Sequence, residues 1–201
     1  MPAAGGVRDT PSMPEPTASS LRVRLRDVTL ADADMIDAWD ARRSPYNDFG
    51  MPSEPIDRDA LRRGPLRNER NGMLIVERRE DGRPLGTVGW HIERYGPNPE
   101  SAAFNVGIEL IPEVRGQGYG TEAQLQLVAY LFATTRVNRV EAATDLENVA
   151  EQRSLEKAGF RREGVLRGSQ FRGGSYHDLV YYAVLREDIE GTSGDDGTSG
   201  P

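Results

Sequence analysis

Three glycines at alternate positions, Gly116, Gly118 and Gly120, stand between an apolar run, Val106 to Ile111, and an apolar-periodic segment, Thr121 to Phe132. This order predicts a strand, a tight turn and a helix. A helix start leaves backbone N–H groups unpaired, and the helix dipole adds partial positive charge there. Glycines let the main chain approach a ligand closely. The turn is therefore a ready site for a phosphate or pyrophosphate. Read without a ligand, the same glycines only shape a strand-to-helix connection. Two other phosphate loops fit worse. A Walker loop ends in Gly-Lys-Ser/Thr, whereas this one ends in Gly120-Thr121 with no lysine. A dinucleotide fingerprint reads G-x-G-x-x-G, and the spacing here is G-x-G-x-G.

The rest of the chain predicts a mixed α/β order, β-α-α-β-β-β-α-β-α-β-β. Leu21 to Asp27 alternates as a strand. Thr29-Leu30-Ala31-Asp32 has a capping-box pattern, and a helix to about Arg43 comes next. Ser44 to Pro55 reads as a structured loop, and Asp57 to Asn68 as a second helix weakened by Gly64-Pro65. Gly72 to Arg79 and Pro84 to Arg94 form strands joined at Asp81-Gly82, a hairpin signal. Ser101 to Ile111 feeds the glycine turn. The helix after that turn leads to a strand, Arg139 to Thr144. Asn148 opens a further helix, stopped at Gly159, a natural C′ glycine. Phe160 to Arg167 and Tyr176 to Leu185 close the sheet as an antiparallel pair. Met1 to Ser20 and Glu190 to Pro201 lack periodicity and read as disordered ends around one domain, residues 21–189.

Composition narrows the chemistry. The chain of 201 residues contains no cysteine, which excludes disulfides, thiolate metal sites and a cysteine nucleophile. His91 and His177 are the only histidines and lie far apart, so no metal is expected. The net charge of −7 argues against a nucleic-acid partner and favours cationic ones such as amines. No apolar run is long enough to span a bilayer. The start lacks the basic-then-apolar order of a signal peptide. The expectation is cytoplasmic, with no membrane partner, as a monomer or homodimer.

Arg115-Gly116-Gln117-Gly118-Tyr119-Gly120 contains the pattern Arg-x-x-Gly-x-Gly, and Asn148 opens a helix that ends in Lys157-Ala158-Gly159-Phe160. Together these passages resemble the GNAT superfamily of N-acyltransferases. The adjoining segment, Phe160 to Arg167 with Gly174, Asp178 and Tyr181, resembles the branch that includes the ribosomal-protein alanine N-acetyltransferases. The resemblance implies a mixed, mostly antiparallel sheet flanked by helices, with splayed fourth and fifth strands. It implies acetyl-CoA as co-substrate, its pyrophosphate on Val114, Arg115, Gly116, Gln117, Gly118, Tyr119, Gly120 and Thr121. The pantetheine arm would pair with main chain near Leu110 and Ile111 and meet the Asn148 side chain. Asn148 reads equally as a plain N-cap with Glu151 as its capping-box partner. Many GNAT enzymes carry a proton-donating Tyr seven residues after the Asn, where this chain has Leu155; the alanine-acetyltransferase branch often has Ser three residues after it, where this chain has Glu151.

The family implies direct transfer to an amine. A base must take the amine proton, ideally with a pKa near 7, and a main-chain N–H near Ile111 would hold the oxyanion. Glu109 is the first candidate base, on the opposite strand face from Ile108 and Leu110. His91, with Glu93 on the same face, is the second. Glu151 lines the cleft or caps its helix. His177 and Tyr176 come after a glycine turn and read as turn-end residues. Tyr46, Asn47, Asp48, Phe49, Met51 and Glu54 border the expected acceptor pocket. Alternatives to acetyl transfer are a longer acyl-CoA substrate and a non-catalytic acyl-CoA-binding module.

Overall fold

The computed structural model describes residues 21–40, 44–47 and 54–190. Its strands are β1 (Val23–Asp27), β2 (Asn71–Arg78), β3 (Pro84–Arg94), β4 (Ala102–Leu110), β5 (Arg139–Asp145), β6 (Arg161–Arg172) and β7 (Ser175–Leu185). Its helices are α1 (Ala33–Asp40), α2 (Arg58–Arg63), α3 (Tyr119–Thr134), α4 (Val149–Lys157) and α5 (Arg186–Glu190). The strands make one sheet in the order β1-β2-β3-β4-β5-β7-β6, antiparallel except for β4 against β5. That parallel pair touches only at Phe104↔Val140 and Asn105↔Glu141. Beyond Asn105 the two strands separate, and their C-terminal halves frame a gap. The fold class and the splayed strands are as the resemblance implied.

Strand alternation sends side chains to two different cores. Leu74, Val76, Val88, Trp90 and Val106 face α3, whose Ala123, Leu127, Val128 and Leu131 are almost fully buried against them. Each such aliphatic side chain contributes about 1.5–3 kcal/mol by leaving water. Ile75, between two of these positions, packs instead with Val28, Ala33, Ile36 and Leu61 beneath α1 and α2.

The elements depart from the expected boundaries where local chemistry intervenes. A single 3₁₀ turn, Leu30–Asp32, precedes α1, and the predicted residues 41–43 of that helix lie outside the described residues. Helix α2 stops at Gly64, whose φ of 151° no longer continues a helix. Strand β6 runs past the expected Arg167 because Gly168, at φ 57°, carries the chain through a bulge rather than ending the strand. The hairpin then turns at Gly173-Gly174, both with positive φ.

Candidate active site

Beyond β4 a 3₁₀ turn, Pro112–Val114, leads into the glycine loop. Gly116 and Gly118 hold φ of 73° and 85°, and Gly118 is the N-cap of α3. No side chain caps this helix, so its first-turn N–H groups face the cleft side without a side-chain acceptor. Arg22, from the start of β1, sits beside the loop. It donates to the Gln117 carbonyl at 3.0 Å, lies over the Tyr119 ring at 4.7 Å, and occupies Glu122 through its Nε at 2.6 Å. The acidic residue in the first turn of α3 is thereby neutralised. The loop borders a cleft of about 470 Å³ that also exposes Arg153 and Lys157, neither of which has a partner among the described residues.

The gap between β4 and β5 lies against this cleft. Ile108 and Leu110 point towards α3 and α4: a Cβ on Gly120 would lie 3.6–3.7 Å from their side chains. Glu109 leaves the opposite face, as expected. The backbone alternates in the same way. The Ile111 N–H is bonded to the Leu85 carbonyl at 2.9 Å, which leaves the amides of Ile108 and Leu110, not that of Ile111, turned towards the gap. Arg115 lines the same cleft as the glycine loop. Its Nε donates to the Leu110 carbonyl at 2.8 Å and its Nη2 to Glu109 at 2.7 Å.

Two carboxylates reach the gap from opposite sides. Glu109 accepts from Arg115 and from the Asn47 amide. Glu151, on α4, is inside the α3–α4 contact and accepts from the Gln124 amide. Burial pushes the Glu151 carboxyl up to about 7; the Gln124 hydrogen bond opposes this and the Glu109 charge adds to it. Thr121, Ser154 and Gln124 extend that contact as a hydrogen-bonded chain, at 3.1 Å and 3.0 Å. Asn148 does cap α4, accepting from the Glu151 N–H at 3.3 Å. Only half of the capping box forms, because the Glu151 carboxylate is turned to Gln124. Asn148 also lines the cleft, so its two readings coexist. Leu155, in the place of the family's Tyr, is buried in the core.

The other candidates separate. His91 is on the Glu109 face of the sheet, but its register partner is Asn105, four residues along β4. It is exposed and meets Glu93 at 3.0 Å. His177 lies by a buried ion pair: Arg172 and Asp145 are bonded, and His177 Nδ1 is 3.5 Å from Asp145. Tyr176 is exposed and stacks edge-on with Phe171 at 5.1 Å. Arg172 also donates to the Tyr46 carbonyl at 2.9 Å, and the Tyr46 hydroxyl to that of Glu147 at 3.3 Å. These bonds hold residues 44–47 over the gap. Asp48, Phe49 and Met51 lie outside the described residues, and Glu54 is exposed. Sequence reasoning did not single out Arg22, Gln124, Asp145 or Arg172. Gln124 carried a signal, being a polar residue at a buried position of an apolar helix. The arginines carried none, since the partners that place them, Glu122 for Arg22 and Asp145 and Tyr46 for Arg172, are 27 to 126 residues away. Among the described residues no cluster of three or more His, Asp or Glu side chains is arranged to hold a metal, and no helix is long and apolar enough to cross a membrane.

Comparison with known proteins bears on the same features. The chain is 27% identical over 176 residues to the uncharacterized N-acetyltransferase YoaA of Bacillus subtilis, covering 85% of this chain and 97% of that one. The ribosomal-protein-S5-alanine acetyltransferase of Vibrio fischeri superposes with a TM-score of 0.68 at 20% identity, over 84% of this chain and 95% of that one. Spermidine N-acetyltransferase of Vibrio cholerae, solved with CoA and spermine, also gives 0.68 at 20% identity, over 84% and 98%. At such identity these structures speak for the fold. The family model "Acetyltransferase (GNAT) domain" matches residues 22–161, which hold the glycine loop, the splayed strands and the Asn148 helix. This chain therefore belongs to the GNAT family of acetyltransferases.

Proposed function

We propose that this acyltransferase moves an acetyl group from acetyl-CoA to a primary amine by direct transfer. The observation that carries the reading is the approach of Glu109 and Glu151 to one gap from opposite faces of the sheet, beside the glycine loop. The loop's positive-φ glycines and uncapped N–H groups fit a diphosphate, and Arg153 and Lys157, which line the cleft, fit its charge. The gap-facing amides of Ile108 and Leu110 fit the pantetheine arm and the oxyanion, in place of Ile111.

Acetyl-CoA supplies the activated thioester carbonyl. Glu109 takes a proton from the amine on the acceptor side. Glu151, near 7 and therefore partly protonated at neutral pH, gives one to the departing sulfur. One C–N bond forms, one C–S bond breaks, and net one proton passes from nitrogen to sulfur. Glu151 thus takes the donor role for which the sequence shows no Tyr. Arg115 holds Glu109 against the Leu110 carbonyl and so positions it at the gap.

Loss of a general base costs about 10²–10⁴-fold. Glu109→Gln is therefore expected to lower turnover of acetyl-CoA with an amine panel by that order, while CoA binds as to the parent in calorimetry. His91→Ala is expected to remain active. A dead His91→Ala beside an active Glu109→Gln would transfer the role of base to His91.

A further inference from the structure

The glycine loop is held from behind by a residue outside its motif. Arg22 stands just before β1, 95 residues from Gln117 in sequence, and does not line the cleft. Its Nη1 donates to the Gln117 carbonyl at 3.0 Å, and its guanidinium lies over the Tyr119 ring at 4.7 Å. Its Nε and its backbone N–H both donate to Glu122, at 2.6 Å and 2.8 Å. A Cβ added to Gly118 would come within 2.9 Å of Arg22 Nη2, so the guanidinium is packed directly on that glycine. An ion pair with Glu122 alone would need none of the contacts with residues 117–119. A half-exposed pair also contributes little to stability. The contacts with the loop therefore call for a reason in the loop itself.

A trans peptide is planar, so the Gly118 N–H points opposite to the Gln117 carbonyl. Arg22 holds that carbonyl on the side away from the cleft. The N–H is thereby aimed at the cleft, which Gly116 and Gly118 line, and it has no acceptor among the described residues. Glycine takes φ of either sign, so the plane at Gly118, now at φ 85°, is free to turn over unless something holds it. Turned over, it would present a carbonyl to an anion in place of a donor. The Gln117 side chain is tied to the Glu113 carbonyl at 3.0 Å, which fixes that residue but not the peptide plane after it. We propose that Arg22 is the positioning residue of the diphosphate loop, locking the Gln117–Gly118 peptide with its N–H towards the cleft. The proposal rests on the acyl-CoA reading of the loop and adds a residue to it. The rival account is that Arg22 only cancels the charge of Glu122, the acidic residue in the first turn of α3.

The test compares the full-length parent, Arg22→Met and Arg22→Met/Glu122→Ala, with CoA, dephospho-CoA and pantetheine as probes. All three proteins should melt within a few degrees of one another, because the pair is half exposed. CoA and dephospho-CoA both carry the diphosphate. In calorimetry they should bind Arg22→Met more weakly by about tenfold or more, the order expected for one lost hydrogen bond to a charged group. Pantetheine has no diphosphate and should bind parent and variant alike in an NMR titration. The double variant should stay as weak as Arg22→Met, because removing the carboxylate gives the Gln117 carbonyl no new partner. Parental CoA affinity in the double variant would overturn the proposal and leave Arg22 a charge partner only. Unchanged CoA affinity in Arg22→Met, or an equal loss with pantetheine, would also overturn it. A parent that binds neither CoA nor dephospho-CoA would refute the acyl-CoA reading of the loop, and the proposal with it.

Discussion

At the residue scale, Glu151 shows how a position changes meaning with its surroundings. In sequence it is the third residue of a helix and a natural capping partner for Asn148. In the fold its N–H serves that cap, while its carboxylate is enclosed by α3 and bonded to Gln124. A carboxyl raised from 4.5 to about 7 binds a proton more tightly in the folded state than in the unfolded one. Its contribution to stability is full below about 4.5 and is lost as the pH rises to about 7. The loss is on the order of 3 kcal/mol, at about 1.4 kcal/mol per pH unit. Glu151→Gln keeps the shape and removes the titration. Urea denaturation at pH 5 and pH 8 should therefore show a gap between variant and parent that moves in the variant's favour by roughly that amount. A constant gap would mean that Glu151 titrates normally. Asp32 has the opposite sign. The Arg26 guanidinium, chiefly, holds its carboxyl down to about 2, so its contribution is lost only in acid.

At the scale of elements, the β6–β7 hairpin reaches back to residues 44–47 through Arg172. The Arg172–Asp145 pair is almost fully buried, and its guanidinium also holds the Tyr46 carbonyl. Removing one partner of a buried pair typically costs about 3–5 kcal/mol, because the other charge is stranded. Arg172→Met should lose that much in chemical denaturation. The double variant Arg172→Met/Asp145→Asn should recover most of it, since Asn still accepts from the Glu147 N–H that now reaches Asp145 at 2.7 Å. Neither variant can hold Tyr46. Both should therefore raise KM for the acceptor while CoA affinity stays unchanged. Equal acceptor KM in the stable double variant would show that the hairpin does not position residues 44–47.

At the scale of the whole molecule, two cores on opposite sheet faces tie β1 to β5 and β7 to the helices, and the candidate site lies where the sheet opens. Residues 1–20 and 191–201 have no apolar pattern to add to either core. A chain truncated to residues 21–190 is expected to melt within a few degrees of the full chain and to turn over at the same rate. A large fall in melting temperature would show that an end packs on the domain.

The strands, the glycine loop and the helices other than α5 were legible in the sequence because each is specified locally; α5 takes in Glu190, which the sequence reading placed in the C-terminal tail. Periodicity sets burial, Asn148 and Gly159 bound a helix, and Gly118 takes a φ that other residues adopt only with strain. The opposite facing of Glu109 and Ile108 was equally legible, since alternation along a strand is geometric. Tertiary structure decided the rest. Only it placed Arg22 beside a loop 95 residues away, put Arg115 on Glu109, and set Arg172 against Asp145. Only it closed α3 over Glu151. Charge pairing and burial depend on what arrives through space. A local pattern specifies which side of an element a residue occupies, but not what will meet it there.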